Sequence, residues 1–188
     1  MRFRMFGLVA VFVAATFGNL AHADITPDLT SVTSSGGNFL FNYSISEDGN
    51  EQLLGGTSYF TIYDVVGYDT TVVAPAGWTF TAQLVGVTPS TQNVTDDPSL
   101  WNITFDYTGA TALPGPASFS GFEIGSADSG VNAGGVFAYQ TSKISGGIDQ
   151  GQGPIGVPSV AAPDASGLSL LGACGLFLLG AIKRKFAS

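Results

Sequence analysis

The chain has 188 residues, 45% of them hydrophobic and only 11% charged, well under the roughly 25% of an average globular protein. Residues 24–162 hold thirteen of the fourteen acidic residues and a single basic one, Lys143, an imbalance that repels phosphate backbones and argues against a nucleic-acid partner. The lone histidine, His22, and the lone cysteine, Cys174, lie towards the two ends, so the body lacks disulfides, thiol nucleophiles, histidine-based triads and ordinary zinc sites.

Residues 1–23 read as a cleavable signal peptide. Arg2 and Arg4 give the positive start, residues 5–17 the apolar stretch, and Ala21-His22-Ala23 the small residues that a signal peptidase admits. Cleavage is expected between Ala23 and Asp24.

From residue 24 to about 143 the pattern is that of strands. Phe39, Phe41, Tyr43 and Ile45 alternate with mostly polar neighbours, the period of a half-buried strand. Trp78, Phe80, Ala82 and Leu84 repeat the device, as do Trp101, Ile103, Phe105 and Tyr107. Further strands are expected over 29–33, 58–64, 70–73, 117–124 and 136–142. Turn clusters such as Ser35-Gly36-Gly37, Asp48-Gly49-Asn50 and Pro114-Gly115-Pro116 separate them. About eight short strands without an amphipathic helix predict an all-β fold, a single antiparallel β-sandwich or jelly roll. Residues 144–162, rich in Gly and Pro and without periodicity, read as a flexible linker.

The last segment, 163–188, reads as a sorting tail. Its residues 165–182 form an uncharged run of eighteen, about 27 Å long as a helix at 1.5 Å per residue, which suits one transmembrane helix. Lys183-Arg184-Lys185 follow as a membrane stop and predict a cytoplasmic C-terminus, with the acidic domain outside. Cys174, near the middle of the run, serves as a small apolar residue.

Pro163-Asp164, the apolar Leu/Gly/Ala-rich run and the basic cluster together resemble the PEP-CTERM class of C-terminal sorting signals. The motif position is Ala162-Pro163-Asp164-Ala165-Ser166, which departs from the usual Pro-Glu-Pro and is closer to the Val-Pro-Asp variant. The body is similar to one recurrent in PEP-CTERM proteins through YFTIYDVVGY (59–68), APAGW (74–78) and DDP (96–98) running into NITFDYTG (102–109). The resemblance implies an exosortase-type membrane transpeptidase as partner, passage through the inner membrane to the surface or matrix of an exopolysaccharide-producing bacterium, and no assigned activity for the body. A plain single-pass anchor and a GPI signal are the alternative readings of the tail, the latter disfavoured by the basic end.

Carboxylates are the only catalytic-grade side chains in the body. A glycosidase needs two facing each other across a cleft, and the candidates are Asp64, Asp69, Asp96, Asp97, Asp106 and Glu123. Turn positions account for most of them, and no catalytic residue is assigned. Residues 46–51 and Asp96-Asp97 have oxygens for Ca²⁺ but not the EF-hand spacing; 46–51 reads as a solvated hairpin turn, and neither a metal site nor a cofactor is expected. Trp78 and Trp101 are expected in the core, leaving Tyr68 as the candidate for stacking on a glycan. Asn42, Asn93 and Asn102 head N-glycosylation sequons. The expected function is that of an exported, non-enzymatic structural or interaction protein; the alternatives are a carbohydrate-binding module or a carboxylate glycosidase.

Overall fold

The computed structural model describes residues 25–161. The expected signal peptide with its Ala23/Asp24 junction, the expected sorting motif at 162–166, the apolar run and the expected basic stop lie outside the described residues. Within them there are eleven strands and no helix: β1 (Ile25–Ser35), β2 (Asn38–Glu47), β3 (Glu51–Leu53), β4 (Tyr59–Val65), β5 (Tyr68–Val73), β6 (Trp78–Gln83), β7 (Trp101–Tyr107), β8 (Leu113–Pro114), β9 (Ala117–Ser126), β10 (Gly130–Lys143) and β11 (Ile148–Ser159).

They form two antiparallel sheets. One has four strands in the order β1-β2-β9-β5; the other has seven, β6-β7-β4-β10-β3-β8, with β11 added on β10. The alternation read in β2 puts Phe41, Tyr43 and Ile45 inward, where they meet Phe122 and Ile124 of β9. Phe60 and Ile62 of β4, Ile103 and Phe105 of β7, and Phe137 and Tyr139 of β10 close the core from the wider sheet. Phe60 stacks on Phe105 and meets Phe122 and Trp78 edge-on, the geometry that ring quadrupoles favour. Each of these side chains contributes about 1.5–3 kcal/mol by leaving water.

The central strands are buried on both faces. Thr61 and Tyr63 of β4 and Asn102 and Thr104 of β7 point away from the core, yet all are fully covered. Residues 84–100 lie over them: the Thr61 and Tyr63 hydroxyls donate to the Val87 carbonyl at 2.9 and 2.8 Å. Strand β6 departs from its expected pattern. Only Trp78 of its alternating set is buried, because β6 is an edge strand; Phe80 and Leu84 stay exposed.

The expected linker is corrected. Residues 148–159 are strand β11, paired with β10 from Ile148↔Ser142 to Ser159↔Gly130. Two of its glycines are there because of aromatic neighbours. Gly151 sits opposite Tyr139 and Gly153 opposite Phe137, and a Cβ on either would lie 2.5 or 2.9 Å from the facing ring. Pro154 and Pro158 lack an N–H, which a sheet edge tolerates. The Tyr43 hydroxyl reaches across from β2 to the Gly156 carbonyl at 3.0 Å and ties this edge to the other sheet.

Candidate functional site

The register of β10 separates two acidic groups. Phe137, at the middle of β10, pairs with Ile62, beyond which antiparallel β4 runs towards the start of β10, whereas Lys143 at its end pairs with Glu51, so the turn after β4 and the turn before Glu51 lie at opposite ends of the wider sheet.

At the first end, β4 bulges between Ile62 and Val65, and Asp64 adopts a left-handed φ of 56°, a conformation that Asp tolerates better than most residues. Its amide donates to Asn102 Oδ1 at 2.9 Å. Asn102 Nδ2 in turn donates to Asp96 Oδ1 at 2.9 Å and to the Leu84 carbonyl at 3.2 Å. The other Asp96 oxygen accepts the Gly86 amide at 2.9 Å, and Asp64 Oδ1 accepts the Asp97 amide at 3.0 Å. Ser99 closes the set, its amide and hydroxyl donating to Asp97 Oδ1 at 2.9 and 2.7 Å. Burial pushes the Asp64 carboxyl upward, and the Ser99 donors draw Asp97 down. Asp64 and Asp97 do border a cavity of about 280 Å³ with Asn132 and Pro158. Their oxygens nonetheless fasten the 84–100 segment to β4 and β7, which is a structural use. The other sequence candidates are dispersed: Asp69 accepts from Asn38 Nδ2 at 2.7 Å, Asp106 pairs with Thr79 and Tyr59 along the wider sheet, and Glu123 lies on β9 in the four-stranded one.

The aromatic candidates divide differently from expectation. Trp78 is buried, edge-on to Tyr107, Phe119 and Phe122. Trp101, expected in the core, is 39% exposed, because it occupies the first position of β7 opposite Val65 at the bulge. Tyr68 is half-buried, with its ring 5.7 Å from that of Trp101. The two rings form a tilted, partly open surface at the Asp64 end. Of the sequons, Asn102 is fully buried and engaged on both amide atoms, Asn42 donates to the Leu40 carbonyl at 3.1 Å, and Asn93 is exposed in the 84–100 segment. A shallow trough of about 520 Å³ on the outward face of the four-stranded sheet is lined by Ser44, Ser46, Ser118 and Ser120, with Asp28 as its one acid.

At the second end, the expected solvated hairpin is corrected on two counts. Strands β2 and β3 belong to different sheets, so residues 48–50 cross between sheets. Glu47 and Glu51 are also buried, at 3% and 0% exposure. Glu47 continues the inward phase of Phe41, Tyr43 and Ile45, and Glu51 shares the inward phase of Leu53; the two sheets therefore each turn one glutamate into the end of the sandwich. The crossing is held by Asp48 Oδ1, which accepts the Asn50 amide at 2.8 Å, and by the Gly115 and Ile144 amides on the Glu51 and Asn50 carbonyls at 2.9 and 3.0 Å. All four glutamate oxygens are out of contact with water and without a hydrogen-bond partner. The Thr141 hydroxyl lies beside Glu51 but directs its proton to the Gln52 carbonyl at 3.1 Å. Burial, then the negative charges of Glu51 and Asp48, raises Glu47 to about 7. Glu51 is likewise at about 7, raised by burial and Asp149 against the opposing pull of Lys143. Lys143 itself is bound to Asp149 at 2.9 Å.

The single sequence cue for this pair is parity, since both glutamates fall in phase with apolar residues of their strands. No family model matches the chain, and no curated protein matches it.

Proposed function

We propose that the chain is an exported, non-catalytic structural or interaction protein of the cell surface, delivered by its N-terminal signal and held by a PEP-CTERM-like tail. The observation that carries this reading is the distribution of charge at the ends. An uncharged run of eighteen residues stops at Lys183-Arg184-Lys185, while the rest of the chain beyond Arg4 has only Lys143 as a basic residue. A charge inside that run would cost a few kcal/mol in lipid, and the basic stop orients the acidic domain outward. An exosortase-type transpeptidase acting at Ala162-Pro163-Asp164 is the partner that this tail implies. The non-catalytic part rests on the engagement of Asp64, Asp96 and Asp97 in fastening hydrogen bonds. Cell fractionation with intact-mass spectrometry tests it: the mature protein is expected to begin at Asp24 and to partition with membrane or surface material. A full-length chain in the soluble interior overturns it.

A second reading has its own observation. Trp101 stands open beside Tyr68, the pairing that covers the apolar face of a sugar, and extracellular polysaccharide is the matching ligand class. Binding to matrix polysaccharide that is lost in Trp101→Ala and Tyr68→Ala supports it; wild-type silence across such polymers removes it.

A further inference from the structure

We propose that Glu47 and Glu51, buried from the two sheets at the same end of the sandwich, are the carboxylate ligands of a Ca²⁺ ion that locks the β2–β3 crossing. This inference stands on the fold alone and does not depend on how the ends of the chain are read. A buried carboxylate is ordinarily satisfied by donors, paired with a cation or neutralised. Here four carboxylate oxygens, supplied by two sheets, are shielded from water and accept no hydrogen bond. Asp48 and Asp149 add negative charge around them. Lys143 is the only basic side chain between residues 25 and 161; it lies at this end but is engaged by Asp149.

The donor set selects the ion. Oxygen ligands exclude soft metals, and two carboxylates from separate sheets suit the larger, geometrically tolerant Ca²⁺ better than Mg²⁺, which demands a near-ideal octahedron. Among the described residues no three acidic or other ligating side chains converge closely enough to hold a metal. Two glutamates therefore supply the charge, and neutral oxygens complete the shell, with Thr141 Oγ1 beside Glu51 as a side-chain example. So few charged ligands imply a weak site, with a Kd of roughly 10⁻⁴–10⁻³ M, the range of extracellular modules.

The test uses the full chain in detergent, stripped with EDTA and followed by tryptophan fluorescence on heating. Ca²⁺ in the millimolar range is expected to raise Tm by on the order of 5 °C in a saturable manner, and equilibrium dialysis with ⁴⁵Ca to give one ion per chain. In the Glu47→Gln/Glu51→Gln double variant the bound ion and the Tm shift are expected to vanish. The folding of that variant is read independently, from cooperative melting in EDTA. An equal Tm shift from NaCl at matched ionic strength overturns the proposal, as does retention of the bound ion in the double variant or a wild-type chain that takes up no Ca²⁺.

Discussion

At one end of β10, Asp64, Asp96 and Asp97 together accept five hydrogen bonds from backbone amides, Asn102 and Ser99. At the other, Glu47 and Glu51 accept none, although they are the more deeply buried. Both groups come from acidic pieces of sequence punctuated by turn residues, and nothing in their composition separates them. The difference lies in what covers them. Asp64 sits under a long segment that itself carries Asp96 and Asp97, and amides of that segment point at all three, so their charge is answered locally. The glutamates emerge from two sheets among neighbouring amides that are already committed, Gly115 to the Glu51 carbonyl and Ile144 to that of Asn50. A satisfied carboxylate stabilises the fold as it stands, whereas an unsatisfied one stabilises it only in company with a ligand or a proton.

The sharpest way to break this comparison is through Asn102, which is fully buried and joins Asp64, Asp96 and Leu84. Asn102→Ala strands the Asp64 amide and one Asp96 oxygen and leaves a cavity beneath residues 84–86. Each buried group left unsatisfied costs about 1–3 kcal/mol, so a loss of about 3–4 kcal/mol is expected by urea unfolding. A loss under about 1 kcal/mol would mean that the segment holds without its fastening.

The next effect has the opposite sign from ordinary acid denaturation and belongs to the glutamate end. In EDTA, both glutamates release their protons near pH 7 in the folded chain, against 4.5 for the unperturbed group. Because the folded pKa is the higher, the folded state binds more protons between these limits, and stability falls as pH rises through the window. Below about 4.5 both states are protonated, and above about 7 both are ionised, so the curve is flat on either side. The groups facing the pair, namely Asp48, Asp149, Lys143 and Thr141, set the midpoint. A decline of about 3.5 kcal/mol is expected at about 1.4 kcal/mol per pKa unit, taken once for a coupled pair. In Glu47→Gln/Glu51→Gln the decline should disappear. Denaturant melts at pH 4.5, 5.5, 6.5 and 7.5 read it directly, and a flat wild-type profile would show that the pair is answered after all.

How much of this was legible follows from side-chain period. Where large apolar residues alternate, as in β2 and along Ile103, Phe105 and Tyr107 of β7, the sequence carries face, phase and core membership. Where the inward residues are glycine, period is erased: β11 looks like a linker because its fit lies in Tyr139 and Phe137 of another strand. Trp101 has the phase of Ile103 and Phe105, but the bulge opposite it turns the end of β7 out. The glutamates were hidden for a related reason. Acidic residues around Asp48-Gly49-Asn50 read as a turn in water, and only the parity of Glu47 with Ile45 and of Glu51 with Leu53 betrays their inward aim. No local pattern announces that β2 and β3 lie in different sheets; the long-range pairing of β3 with β8 and β10 decides that.

The smallest effect refines the contrast, because it uses a change of the same kind at both ends. Asp96 accepts from Asn102 with one oxygen and from Gly86 with the other. Asp96→Asn keeps the shape but replaces one acceptor by an NH₂ group, which then faces a donor. One hydrogen bond is lost and two donors are left opposing each other, for an expected loss of about 1–2 kcal/mol. The corresponding exchange of carboxylate for carboxamide at the other end, in Glu47→Gln/Glu51→Gln, removes no hydrogen bond and relieves two buried charges. In EDTA at pH 7.5 it is therefore expected to raise Tm while Asp96→Asn lowers it. Two isosteric neutralisations moving Tm in opposite directions would locate the difference in hydrogen-bond supply. Movement in the same direction would mean that net acidity governs both ends alike, and the distinction between fastened aspartates and unanswered glutamates would fail.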